Sequence, residues 1–207
     1  IWDSKSTNIK TENEMGKIFY VMGKSASGKD TIYRELLKKC PRLRRVVLYT
    51  TRPMRDGECE GREYYFANPK TLEAFEKQGK IIEMRTYQTV CGPWSYATVD
   101  DGRICLEEAD YLAIGTLESY EKLREYYGED VVKPLYVTVD DGARLERALA
   151  REKTQKKPNY AELCRRFLAD EEDFAQEKLE RLGIQSSFVN ETLDKCVDEI
   201  LSAIQNG

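Results

Sequence analysis

The chain has 207 residues with a formal net charge of −4, a length that suits one domain with inserted lobes and a balance that gives no basic face for a nucleic-acid polymer. Histidine is absent, which removes imidazole bases, Ser-His triads and the common zinc sites and leaves Lys, Arg, carboxylates and a hard metal ion to carry any chemistry. Charged residues make up 34% and hydrophobic ones 41%, and the apolar runs are short, so no membrane span or signal peptide is expected and the expected location is cytoplasmic. The six cysteines, Cys40, Cys59, Cys91, Cys105, Cys164 and Cys196, form no CxxC pair and read as reduced and mostly structural.

Residues 1–14 are polar without periodicity and read as an arm or an expression remnant, with Met15 a natural start. A buried strand over 18–22 then leads into Gly23-Lys24-Ser25-Ala26-Ser27-Gly28-Lys29-Asp30. Two glycines four residues apart with a lysine after the second, between a strand and a helix, spell a phosphate-binding loop of Walker A spacing. The glycines permit a tight turn, so backbone N–H groups and the following helix N-terminus converge on one anion. Lys29 reaches the terminal phosphates. The last position carries Asp30 where Ser or Thr is usual, followed by Thr31.

Ile32, Leu36 and Leu37 recur at helical spacing up to Pro41, and 46–49 reads as a second strand. The segment from Thr50 to Phe66 holds Arg52 and Arg55, glycine turns and aromatic residues including Tyr64. Two guanidiniums and a phenol make a clamp for a second phosphate group. Asn68 as N-cap and Pro69 in the first turn start a helix that ends by Gly79, with Leu72 and Phe75 inward. A strand over 80–86 carries Glu83, and 87–101 reads as a hairpin or loop turning at Gly92-Pro93. Residues 111–114 form a core strand and 117–127 a helix stopped by Gly128. After a strand over 135–139 comes a helix with Leu145, Ala148 and Leu149 on one face. A charged hinge at 152–159 separates it from a long helix over 160–182. Phe188-Val189-Asn190 forms a last strand, and a helix over 193–204 buries Val197, Ile200, Leu201 and Ile204.

The loop together with Thr50, Thr51, Arg52, Arg55, Gly57, Glu58, Gly61, Tyr64 and Phe66 resembles the guanylate kinase family, whose loop is followed by a TTRxxRxGExxGxxYxF segment. The resemblance runs from Gly16 to Ile204 and implies an α/β fold: a P-loop parallel sheet covered by helices on both faces, with an inserted monophosphate-binding lobe and a helical lid. By that likeness the core is 15–49 and 108–207, the lobe about 50–107 and the lid about 147–166. It implies ATP bound at Gly23 to Thr31, with Arg147 and Asn190. GMP would be held by Arg52, Arg55 and Tyr64 at the phosphate, Glu83 at the guanine N–H edge, and Tyr96 and Thr98 as the nearest match to a Tyr-Gly-Thr element. Arg151 and Arg166 would close over the phosphates. Two departures stand out: Leu48 replaces a serine near the guanine oxygen, and Ile114-Gly115-Thr116 replaces an Asp-x-Asp.

The implied reaction is γ-phosphoryl transfer from ATP to GMP, and to dGMP as a variant, with Mg²⁺ and with Lys29, Arg151 and Arg166 as catalytic cations. Asp30 either ligates that Mg²⁺, directly or through water, or caps the helix. The alternatives are a kinase of the same fold acting on another phosphorylated acceptor such as a ribose bisphosphate, a binding module without catalysis, and a nucleotide-binding protein that no longer turns over.

Overall fold

The computed structural model describes residues 15–89 and 92–206; the expectations for the arm at 1–14 and for Cys91 lie outside them. In chain order the elements are β1 (Ile18–Met22), α1 (Lys29–Lys39), β2 (Arg44–Arg45), β3 (Leu48–Thr50), β4 (Tyr64–Phe66), α2 (Pro69–Lys77), β5 (Ile81–Thr89) and β6 (Gly92–Val99). They continue with β7 (Tyr111–Gly115), α3 (Leu117–Tyr127), β8 (Val132–Thr138), α4 (Asp141–Lys153), α5 (Tyr160–Asp173), α6 (Gln176–Arg181), β9 (Phe188–Val189) and α7 (Leu193–Asn206).

Five strands form a parallel sheet in the order β2-β7-β1-β8-β9. β1 is buried throughout because both faces of the sheet are covered. Its alternating side chains divide between two cores. Ile18, Tyr20 and Met22 join Leu117, Tyr120 and Leu123 of α3 and Leu179 of α6, while Phe19 and Val21 join Ile32 and Leu36 of α1 and Val197, Ile200 and Ile204 of α7. Each such large apolar side chain taken out of water contributes roughly 1.5–3 kcal/mol before entropy is counted. Among the described residues no helix is long and apolar enough to cross a membrane.

The apolar stretch at 46–49 does not make one core strand. β2 adds to the parallel sheet, whereas β3 leaves it for a second, four-stranded sheet in the order β4-β3-β6-β5. Thr50 and Thr51 fasten that departure: the Thr50 hydroxyl donates to the Ser95 carbonyl at 2.9 Å, and the Ser95 N–H donates to the Thr51 hydroxyl at 2.8 Å. β5 and β6 form a long hairpin in which Thr89 pairs with Gly92 and Gln88 with Pro93. Gly92 and Pro93 therefore belong to β6 and not to the turn, because the ladder of aromatic and β-branched residues extends the strands past them.

Helix starts follow local chemistry. Asn68, Thr116, Asp140 and Asn159 each accept a backbone N–H of the first turn of α2, α3, α4 and α5. α1 has no such side chain: its N-cap is Gly28, with φ 92°. Two expectations need correction. The inward face of α4 is Arg144 and Ala148, while Leu145 and Leu149 are exposed, since carboxylates of α5 draw the guanidinium in. The long helix over 160–182 breaks into α5 and α6, because Ala175 turns extended and lets Phe174 stack on Tyr136 with centroids 5.5 Å apart.

Candidate active site

The phosphate loop leaves β1 at the sheet's carboxyl edge, where Met22 is level with Gly115 and Tyr136 of its neighbours. Ala26 (φ 62°) and Gly28 (φ 92°) take left-handed backbone, which turns successive N–H groups to one side. Among the described residues the N–H groups of Ala26, Gly28, Lys29 and Asp30 have no hydrogen-bond partner. Uncapped donors at a helix N-terminus form an anion site. Lys29 lies in the same place, with its ammonium 3.7 Å from the Asp30 carboxylate. Asp30 is well exposed and accepts no hydrogen bond from a loop amide, so it does not cap α1.

Lys29 and Asp30 open onto a cleft of about 820 Å³ between the loop and the second sheet. The far wall carries Tyr64, Tyr87 and Tyr96, packed edge to face at 5.6 and 5.9 Å between centroids. Burial raises the Tyr64 phenol above its ordinary pKa and takes that of Tyr33, also in the wall, to about 12. Both stay protonated at neutral pH and so can donate to an anion. Arg34 and Arg45 line the same cleft, and among the described residues neither guanidinium has a hydrogen-bond or ion-pair partner.

Other residues singled out in the sequence do not line the cleft. Arg52 is buried, donates to both oxygens of Glu58 at 2.9 and 2.7 Å, and sits over the Tyr64 ring at 5.1 Å. Arg55 gives its N–H to the same Glu58, and neither arginine lines the cleft. Glu83 is buried beneath it, accepting from Thr98 at 3.1 Å and from Arg85 at 3.1 Å. Thr98 is buried with it. Leu48 and Thr116 do line the cleft.

On its other side the loop meets α4 and α5. Asn190, directly after β9, donates from its side chain to the Ser27 carbonyl at 2.8 Å, and its own carbonyl accepts from Arg147 at 3.1 Å. Arg151 and Arg166 line a separate cavity of about 400 Å³ under the 154–159 connection, and Arg166 is tied to Glu162 at 2.8 Å. Lys24 pairs with Glu171 at 2.5 Å, and Ser25 is held by Asp170. Arg144, almost wholly buried, bridges Asp170 and Glu171 and lies 4.0 Å from the centre of the Phe167 ring.

Sequence reading passes over Arg34, Arg45, Arg85, Arg144 and Asp170. Arg34 and Arg45 are single basic residues of a kind abundant on any surface, and only the fold turns them to the cleft. Asp170 lies in an acidic run that periodicity assigns to solvent. Arg85 offered a weak signal: it follows Glu83 by two residues and so shares a face of β5.

A family model described as guanylate kinase matches residues 15–104. The guanylate kinase of Bradyrhizobium diazoefficiens is 32% identical over 139 residues, covering 65% of this chain and 60% of that protein. That of Syntrophotalea carbinolica is 26% identical over 189 residues, 91% of this chain and 85% of that protein. The crystal structure of guanylate kinase from Anaplasma phagocytophilum superposes with a TM-score of 0.63 at 18% identity, covering 94% of this chain and 87% of that one.

Residues 15–104 are thus similar to guanylate kinases in sequence, and the chain shares the fold of one.

The architecture is the expected one, a parallel sheet with helices on both faces and a second sheet built from residues between its strands. The chain spans about 60% of the length of the first relatives it matches. Leu48, Arg85 and Thr116 line the cleft, and Glu83 is buried.

Proposed function

We propose that the protein transfers the γ-phosphoryl group of ATP to a purine nucleoside monophosphate, GMP in the first instance and dGMP as a variant, giving ADP and the diphosphate. The observation that carries this reading is one cleft in which Gly23, Ser25, Lys29 and Asp30 of the phosphate loop meet a tyrosine wall and Arg34 and Arg45, neither of them paired among the described residues. The amides and Lys29 hold the donor phosphates. Tyr64, Arg34 and Arg45 face the acceptor phosphate, with Arg52 stiffening Tyr64 from behind. An acceptor phosphate is already anionic, so the step needs no strong general base, only alignment and charge neutralisation. Arg151 and Arg166 supply neutralising charge once the lid they stand on moves toward the loop. Asn190 and Arg147 brace the loop in this scheme. The reading draws as well on the family's relatives, which are named guanylate kinases.

Among the described residues no cluster of three or more acidic or Cys side chains is built for a metal. One exposed carboxylate beside Lys29 is nonetheless enough for a Mg²⁺ held chiefly by nucleotide phosphates and water. Asp30 would hold it, and the ion when bound screens phosphate charge.

A second reading has one specific observation behind it. Two guanidiniums that line the cleft and have no partner among the described residues, Arg34 and Arg45, also suit an acceptor with two phosphate groups, such as a ribose bisphosphate. A coupled ADP-release assay with ATP and a panel of GMP, dGMP, AMP, UMP, CMP and sugar phosphates separates them. Selective response to GMP supports the main reading, response to sugar bisphosphates the second, and silence across the panel a binding module.

A further inference from the structure

Arg85 has hydrogen-bonding capacity that the protein does not use. Its Nε donates to Glu83 at 3.1 Å and its Nη1 to the Thr116 hydroxyl at 3.2 Å, and among the described residues Nη2 has no partner. The guanidinium is fixed from behind. Glu83, its side chain 3% exposed, also accepts from the Thr98 hydroxyl at 3.1 Å and lies 3.4 Å from that of Ser119. Arg85 lines the cleft and Glu83 does not, so the cleft is offered a guanidinium and the carboxylate is spent on holding it. Tyr96, the cross-strand neighbour of Arg85, and Tyr87 supply flat surface for a ring beside it.

A carboxylate reads a base at its N–H donors, whereas a guanidinium reads acceptors. On a purine the acceptor pair is O6 with N7, and adenine breaks it by presenting an N6 amino group. We infer that Arg85 reads the acceptor base at its O6 and N7 edge, with Glu83 as the positioning carboxylate behind it. This rests on the purine monophosphate reading above and narrows it. The 2-amino group goes unread, so hypoxanthine and guanine monophosphates are taken alike and adenine is refused.

The test is steady-state kinetics of the full chain with ATP and GMP, IMP or AMP, for wild type, Arg85→Ala, Arg85→Lys and Glu83→Gln. Wild-type kcat/KM for IMP should lie within about tenfold of that for GMP, and both should exceed AMP by about 100-fold, the discrimination one good guanidinium contact to a base provides. Arg85→Ala should lower GMP and IMP together, mainly through KM, and leave AMP unchanged. Arg85→Lys should recover part of the loss, and Glu83→Gln should weaken both oxopurines in parallel. An IMP value 100-fold below GMP, or a GMP to AMP ratio that survives in Arg85→Ala, overturns the assignment while the kinase reading stands. If wild type turns over none of the three, the purine reading fails and takes this inference with it. The IMP to GMP ratio is read on wild type alone, so poor folding of a variant does not shield the proposal.

Discussion

Asp170 and Ser25 are joined twice: the Ser25 N–H donates to Oδ2 at 2.9 Å and its hydroxyl to Oδ1 at 3.1 Å. Both residues stand in the wall of the cleft with Lys29 and in the wall of the cavity with Arg151 and Arg166. This contact thus stands between the cleft and the cavity. Oδ2 also accepts from Arg144 at 2.9 Å, in a setting where the Arg144 side chain is 1% exposed. Removing one partner of such a buried pair leaves a charge uncompensated. Asp170→Ala should lose about 3 kcal/mol, the lower end of the range because Glu171 still faces Arg144, and Arg144→Ala about 3–5 kcal/mol. Urea denaturation measures both, and an unchanged midpoint in either would show that the partition carries no stability.

Among the described residues Lys29 is held only by Asp30, at 3.7 Å, with the carboxylate open to solvent. Its loss removes little folding energy but takes away the ammonium that the proposed function sets against the donor phosphates. Lys29→Ala should keep the wild-type melting temperature and lose on the order of 10²–10³ in turnover. Asp30→Asn should raise the Mg²⁺ concentration needed for half-maximal rate, read from a metal titration at fixed ATP.

Gly28 has φ 92°, and a Cβ placed there would lie 2.2 Å from Asn190 Nδ2. Gly28→Ala therefore meets both left-handed strain and the side chain that braces the Ser27 carbonyl. The variant should bind ATP weakly and melt earlier. Adding Asn190→Ala should return part of the melting temperature, since the clash goes while the strain stays. Full additivity of the two changes in calorimetry would contradict the contact.

Arg52 holds the Glu58 carboxyl down at about pH 2, well below the ordinary carboxylate range. A depressed carboxylate pKa contributes stability that is present above about 4.5 and lost as pH falls toward about 2. Melting temperature followed from pH 6 to pH 2 should drop over that window in wild type, and the drop should be smaller in Glu58→Gln. At the other extreme, burial carries the Cys196 thiol up to about 11. In native protein it should resist a thiol reagent that labels the exposed Cys59 and Cys164.

Legibility in the sequence follows how local each signal is. β1, the glycine spacing and Lys29 fit within a dozen residues, as do the Asn68 cap and the Gly128 stop, and all appear where local chemistry puts them. The course of β3 depends on Ser95, 44 residues away, and the buried face of α4 on carboxylates of α5. Periodicity weighs Leu145 above Arg144 because it counts apolar side chains and cannot see a distant ion pair. The lack of partners for Arg34 and Arg45 among the described residues and the pairing of Glu83 with Arg85 are likewise facts of assembly, beyond what a motif records.

The central claim is that one cleft takes both nucleotides with their phosphates meeting at Lys29. A bisubstrate compound, adenosine and guanosine joined through a five-phosphate chain, tests it in a single titration calorimetry experiment with competition. The account predicts 1:1 binding that excludes ATP and GMP alike and is weakened by both Lys29→Ala and Arg45→Ala. Binding that leaves either mononucleotide in place would mean the two sites do not share the cleft, and the account would be wrong.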